Sequence, residues 1–494
     1  MEVIMKPTLD EARKISTGYK KIPIGYEILS DAITPINLLK ILKNVSSRCY
    51  ILESVEKQEK WGRYTFMGYD PLLSITAMNG TILIKDYVNE GERIINDKHP
   101  SECIKEILEE YKSPKSSQLP PFTGGLVGYF AFDYIKYSEP KLLLEGTDEE
   151  GFKDMDLMLF DKVIAFDNFK QKITIIVNVD ADNLEESYNN AVAEINKIKD
   201  LILKGKPEVI PKGEILSEIK PIFSKEEYCQ MVEKAKRYMY EGDIFQVVLS
   251  NRFEAKMKGS LFHTYRLLRT INPSPYMFYI CSDDMEVAGA SPETLVKLEN
   301  GILHTFPLGG TRARGKTKEE DNIIEQELLA DVKECSEHIM LVDLGRNDLG
   351  KISKFGTVKV DKYMSIERFS HVMHIGSTVS GQIREDYSSI DAIEAVLPAG
   401  TLSGAPKIRA CEIIDELENC KRGIYGGAIG YIDFSGNMDT CIAIRSAYKK
   451  NGKVFVRVGA GIVADSIGEK EHEECINKAK AIIKALTMQE EVDQ

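Results

Sequence analysis

The stretch PLLSITAMNGTILIK, residues 71–85, sets the architecture: two short apolar runs separated by Asn79–Gly80. An Asn-Gly pair between apolar runs predicts a two-residue turn and therefore an antiparallel hairpin. A second strand pair is expected in KVIAFDNFKQKITIIVNVD (162–180). Further strands are expected in SRCYILES (47–54) and in the Gly- and aromatic-rich GGLVGYFAFDYI (124–135). A helix over roughly 183–204 leads into a Lys-, Gly- and Pro-rich linker, KGKPEVIPKGEILSEIK (204–220). Ser224 with Glu227 three residues on makes a capping box for a helix ahead of the strand IFQVVLSNRFEAK (244–256). Beyond it, strands and helices alternate without tidy βαβ repeats. The expected fold class is therefore α+β, with large β-sheets flanked by helices. The linker divides the chain into an N-terminal lobe, 1–210, and a second domain, 220–490.

At 494 residues the chain exceeds what one simple core supports. Its 43% hydrophobic and 29% charged content is that of a soluble globular protein. A net charge of −13 with no long Lys/Arg run argues against a nucleic-acid binder or an anionic-membrane binder. Small anionic metabolites stay open, since they need only a local basic or metal-lined pocket. The start, MEVIMKPTLDEARK, lacks the basic-then-apolar pattern of a signal peptide. No apolar run approaches the ~20 residues that span a bilayer. Nine cysteines without a CxxC pair point to free thiols in a reducing cytoplasm rather than to structural zinc.

Two acidic pairs, Glu334/Glu337 and Glu471/Glu474, each sit at i,i+3 in helical stretches, 318–342 and 469–486. That spacing places both carboxylates of a pair on one helical face. Two such faces opposed would make an all-oxygen site for a hard divalent cation, Mg²⁺ above all. A solvated acidic surface is the plainer reading of most carboxylates in these helices. Glu337 differs because it precedes HIMLVDLGRNDLG, a run expected to be buried, and Lys478 shares the stripe of Glu471 and Glu474. The segments PLGGTRARG (307–315), PAGTLSGAPK (398–407), YGGAIGY (425–431) and RVGAGIVADS (457–466) are too polar and Gly-rich for ordinary core. None fits a phosphate loop. Their backbone donors, hydroxyls and arginines suit carboxylate contacts. His374 reads as a core histidine or a general acid/base. Glu293, beside apolar sequence, could carry a raised pKa and donate a proton.

Taken in order, SPETLV, FPLGGTRARG, SEHIMLVDLGRNDLG, VMHIGSTVSG, PAGTLSGAPKIRA, YGGAIGY and VGAGIVADS with EHEECINKAK resemble the chorismate-utilising enzymes across about 220–490. Leu52–Glu53–Ser54, KWGRYTFMG (60–68) and Asn272–Pro273–Ser274–Pro275–Tyr276–Met277 resemble the anthranilate synthase component I branch, so the resemblance covers nearly the whole chain. It implies conversion of chorismate and ammonia to anthranilate and pyruvate with Mg²⁺, as the first committed step of tryptophan biosynthesis. Ammonia would come from a separate glutamine amidotransferase subunit, in a heterotetramer or similar hetero-oligomer. No Cys-His glutaminase is legible here.

Carried over position by position, the resemblance implies Glu337 and Glu474 as metal ligands, with Glu334 and Glu471 behind them. Gly310, Thr311, Tyr425, Arg445, Gly459, Ala460, Gly461 and Lys478 would contact substrate, with Arg445 on the enolpyruvyl carboxylate. Glu293 would be the acid, with His374 and Thr401 lining the same site and His374 the candidate base. Glu53, Ser54, Pro275, Tyr276 and Met277 would form a pocket for L-tryptophan as feedback inhibitor. Two positions separate branches. The lysine that activates water in isochorismate and salicylate synthases is matched by Gln246. The lysine that attacks the ring in many aminodeoxychorismate synthases is matched by Gly309, where anthranilate synthases usually have Ala. Both favour external ammonia.

Overall fold

The computed structural model describes residues 5–54, 62–368 and 372–488. Lys60 and Trp61 of the KWGRYTFMG segment lie outside the described residues.

The expected hairpin forms between Leu73–Met78 and Thr81–Asp86, in register Met78↔Thr81. Asn79 and Gly80 take φ of +50° and +83°, as a two-residue turn matched to strand twist requires. It is one corner of a 12-stranded antiparallel sheet. A 13-stranded antiparallel sheet lies beside it, built around Lys162–Asp167, Lys172–Asp180, Cys49–Glu53, Tyr276–Cys281 and Lys453–Ile462.

Strand side chains sort by alternation. In Tyr276–Cys281, Phe278 and Ile280 join a core with Val127, Tyr129 and Met158 of the other sheet. Met277, Tyr279 and Cys281 instead face a core shared with helices Pro35–Val45, Leu184–Lys204, Phe262–Ile271 and Gly468–Thr487. The outer face of the second sheet packs on Pro100–Glu110, Val332–Gly350 and Ser389–Val396. The layers therefore run helix, sheet, sheet, helix, which is the α+β arrangement expected. Burial on both faces also explains why strands such as KITIIVNVD read as continuous apolar runs.

Both sheets take strands from either side of the 204–220 linker; Cys49–Glu53 pairs directly with Tyr276–Cys281. The capping box at Ser224 and Glu227 opens helix Lys225–Tyr240. The expected helix over 318–342 is instead two, Lys318–Ala330 and Val332–Gly350. Asp331 breaks it because its carboxylate caps the second helix, accepting from the N–H groups of Lys333 and Glu334. No helix among the described residues is long and apolar enough to cross a membrane.

Candidate active site

Twice the chain steps from one sheet to the other within a few residues. Strand Glu286–Ser291 passes through Glu293 into Thr294–Glu299, and Met438–Ile442 passes through Arg445 into Ser446–Lys450. The crossings are bonded together: Ile442 N–H donates to the Glu293 carbonyl at 2.9 Å, and Ala290 N–H to the Arg445 carbonyl at 3.1 Å. Register thus brings an acid and a cation from distant sequence to one point.

Burial pushes the Glu293 carboxyl up to about 7, against the opposing pull of the Thr401 hydrogen bond and the Arg445 charge. Thr401 Oγ1 donates to Glu293 Oε1 at 3.1 Å from the short turn Gly400–Leu402. Arg445, at φ +49°, makes no ion pair among the described residues. Its Nη1 donates to Asn272 Oδ1 at 3.4 Å, and burial holds its pKa below the ordinary value. A mostly buried guanidinium without a carboxylate is costly unless an anion arrives.

His374 lies on strand Val372–Gln382 opposite Thr311. Its Nδ1 is 3.0 Å from the Gly310 carbonyl and 3.1 Å from Thr311 Oγ1. Burial lowers its pKa, so the ring is neutral near pH 7; donation from Nδ1 to the carbonyl makes Nε2 the basic nitrogen. Gly310 takes φ +57°, and an added Cβ would lie 3.2 Å from Glu334 Oε2. Gly309 has a packing reason too: a Cβ there would stand 3.2 Å from His338 Nδ1.

The charges of the two acidic pairs act on one another. Burial raises the Glu337 pKa, and the charges of Glu334 and Glu474 raise it further, against Lys333 and a hydrogen bond from Gln246. Glu471 is raised by burial and by Glu474. Lys478 Nζ lies 2.7 Å from Glu474 Oε1 and donates to the Gly459 carbonyl at 2.9 Å. Arg312 donates to Glu334 at 3.0 Å and to Asp331 at 2.7 Å. No three His, Cys, Asp or Glu side chains among the described residues form a ready metal cage. Magnesium does not require one: it takes one or two carboxylates and fills its shell with waters and substrate oxygens. Two helices presenting mutually repelling carboxylates fit that need.

On strand Lys453–Ile462, Gly459 and Gly461 face the site and Ala460 turns its methyl into the core. A Cβ at 459 would come within 2.8 Å of Tyr425 Oη, and one at 461 within 2.8 Å of Gln246 Nε2. Close approach, then, is what requires glycine here. Gln246 is 4% exposed, and its Oε1 has no partner among the described residues.

The fifth group stands apart. Glu53, Ser54, Pro275, Tyr276 and Met277 line a cavity of about 510 Å³ reaching between the sheets. The Glu53 carboxylate is gripped by Arg269, at 2.5 and 3.1 Å, and by Tyr265. Tyr276 Oη bonds Thr294 Oγ1 at 2.8 Å and donates to Asp439 at 2.9 Å. Thr294 follows Glu293, so this cavity touches the active site through one residue.

One cluster had no signal in the sequence. Fully buried Glu418 binds Arg422 at 2.5 and 3.0 Å and Arg457 at 2.6 Å. Arg422 Nη1 then donates to the Leu402 carbonyl at 2.6 Å, fixing the turn that carries Thr401. Arginines in KRGIYGG and RVGAG look like surface charges until strand register buries them.

Residues 47–484 match the family model of chorismate binding enzymes. Anthranilate synthase component 1 of Acetivibrio thermocellus is 48% identical over 97% of this chain and 98% of the relative. That of Aquifex aeolicus is 46% identical over 98% of each. The crystal structure of anthranilate synthase component I from Streptococcus pneumoniae superposes with a TM-score of 0.76 at 37% identity, covering 92% of this chain and 98% of that one. The menaquinone-specific isochorismate synthase of Escherichia coli shares the fold, with a TM-score of 0.68 at 19% identity over 97% and 99%. With family motifs, full-length similarity and the acid–arginine site in agreement, the chain belongs to the chorismate-binding enzymes, in the anthranilate synthase component 1 family.

Proposed function

We propose that the chain converts chorismate and ammonia to anthranilate and pyruvate, with Mg²⁺ bound, as the first committed step of tryptophan biosynthesis. The observation that carries the reading is Glu293: a carboxyl pushed up to about 7, held by Thr401, beside a buried arginine that lacks an anion. Arg445 receives the enolpyruvyl carboxylate, where a desolvated guanidinium binds most strongly. Glu293 protonates the C4 hydroxyl as it leaves while ammonia adds at C2. His374 Nε2 then takes the C2 proton, the enolpyruvyl C–O bond to the ring breaks, its methylene carbon takes up a proton, and pyruvate leaves as the ring aromatises.

Glu337 and Glu474 would hold the magnesium, with Glu334 and Glu471 behind them; when bound, it neutralises and orients the ring carboxylate. Thr311, Tyr425 and the backbone of Gly310, Gly459, Ala460 and Gly461 wall the substrate. Lys478 would shift from Glu474 toward that carboxylate. Gln246 and Gly309 supply no amine, which favours ammonia from outside the chain. A glutamine amidotransferase subunit in a cytoplasmic hetero-oligomer such as a heterotetramer is the proposed source.

The cavity at Glu53 is the proposed tryptophan site. Glu53 would share its charge between Arg269 and the ligand ammonium, with Tyr276 against the indole and Met277, its side chain turned to the helix-side core, forming only the wall behind. Inhibition then requires that tryptophan favour an inactive arrangement, and Tyr276–Thr294–Glu293 and Asn272–Arg445 are the contacts through which it would act.

The test is incubation of the purified chain with chorismate, Mg²⁺ and ammonium, following anthranilate fluorescence with and without tryptophan. Mg²⁺-dependent anthranilate, suppressed by tryptophan, is the expected result. Chorismate consumed without anthranilate would transfer the assignment to aminodeoxychorismate. No consumption would leave a catalytically silent homologue.

A further inference from the structure

Away from the active site, on the helix-facing side of the first sheet, two thiols confront each other. Cys49 and Cys281 are directly opposed in the antiparallel pair Cys49–Glu53 and Tyr276–Cys281. Their side chains lie in one core cluster. Opposed residues of such a pair have Cα atoms about 4.5–5.5 Å apart, inside the roughly 4.4–6.8 Å that a disulfide spans. The pair can therefore be joined without moving the backbone far.

A cation and a route from outside lie beside the pair. Lys43 Nζ, from helix Pro35–Val45, lies 3.3 Å from Cys281 Sγ and donates to Tyr279 Oη at 3.1 Å. Glu286 stands 3.8 Å from the ammonium, but its oxygens are already taken by Ser260 and Tyr279, both at 2.6 Å, and Leu261 N–H at 2.9 Å. The Cys281 thiol also reaches Tyr279 Oη, at 3.1 Å, and Glu286 Oε1, at 3.5 Å. Cys281 and Lys43 line a cavity of about 660 Å³, which gives a small oxidant a way in. Cys281, which lines the cavity beside Lys43, is thus the sulfur that a small oxidant meets first, and Cys49 is the resolving partner opposite it.

We propose that Cys49 and Cys281 form a redox-reversible modification site that takes a peroxide as oxidant and closes to a cross-strand disulfide. The Cys281 sulfur attacks the peroxide oxygen as thiolate, the O–O bond breaks, and hydroxide leaves, giving a sulfenic acid. The Cys49 sulfur then attacks the sulfenic sulfur; the S–S bond forms and the hydroxyl leaves as water. Two thiols are oxidised, one peroxide is reduced, and two waters result. A dithiol restores the pair by exchange. The bond would pin the strand pair that, four residues along, sets Glu53 opposite Met277.

The full-length chain is treated with hydrogen peroxide, its remaining thiols are alkylated, and the digest is read by mass spectrometry. The expected result is a Cys49–Cys281 cross-linked peptide, two thiols lost together, and full recovery with dithiothreitol. The oxidised chain should also unfold at higher denaturant, since the link constrains a long loop of the unfolded state. Cys49→Ser and Cys281→Ala should each abolish the cross-link. Lys43→Met should slow closure, because the thiolate loses the ammonium beside it. The proposal is overturned if Cys49 and Cys281 stay fully alkylatable after the more exposed Cys229, Cys335 and Cys420 have oxidised. It is equally overturned if peroxide carries them to acids that dithiothreitol cannot reverse.

Discussion

Replacing Thr401 with valine keeps the shape of the side chain and removes its hydrogen bond to the Glu293 carboxylate. That bond stabilises the charged form, so its loss makes the carboxyl hold its proton to higher pH. A hydrogen bond to an ionised group contributes about 1.5–3 kcal/mol, against roughly 1 for one to a neutral group. The difference, about 1.4 kcal/mol, is about one pKa unit. From a starting value of about 7, the Glu293 pKa should rise to about 8. The assay is kcat/KM for chorismate, which reports the free enzyme, measured from mildly acid to alkaline pH and expressed per concentration of free ammonia. Without that correction the rising share of free ammonia would mask the acid. Wild type should lose activity as pH rises through 7, because only protonated Glu293 can assist the leaving hydroxyl. In Thr401→Val the same decline should begin about one unit higher. A decline that stays in place, or moves to lower pH, would refute the assignment of Glu293 as the acid held by Thr401, whatever the overall loss of rate.

Arg445→Ala should raise KM for chorismate roughly 10- to 100-fold, the worth of one desolvated charge-assisted pair; steady-state kinetics in saturating ammonium and Mg²⁺ checks it. Chelation of Mg²⁺ should abolish turnover and re-addition restore it, whereas Glu337→Gln should stay inactive at every Mg²⁺ concentration. Glu418→Gln leaves two buried arginines without their carboxylate, so the denaturant midpoint should fall by the equivalent of about 3–5 kcal/mol. Glu53→Gln should raise the tryptophan concentration for half-inhibition at least about tenfold, read directly from the anthranilate assay.

Much of the fold was legible because local chemistry decides it. Asn79–Gly80 can adopt a turn that other dipeptides resist, and Ser224 with Glu227 closes a cap with atoms three residues apart. The same holds for Leu184–Lys204, whose boundaries follow from its apolar stripe and the linker after it. The split at Asp331 was not legible, since an acid within an acidic helix looks like another solvated carboxylate until its oxygens are seen to cap the next turn. Site membership divides in the same way. Motifs identified Glu293, Arg445, Glu337 and Glu474 as candidates, because their residue types suit acid catalysis, carboxylate binding and a hard cation. Spacing could not show that Glu293 and Arg445 meet where strands cross between sheets, or that Glu474 lies close enough to raise Glu337. Nor could it show Arg422 buried on Glu418 beneath Thr401, or Cys49 opposite Cys281. Turns, caps and helix faces depend on neighbours within a few residues and are written in the sequence. Raised pKa values and opposed side chains depend on strand register and burial, which exist only once distant segments have paired.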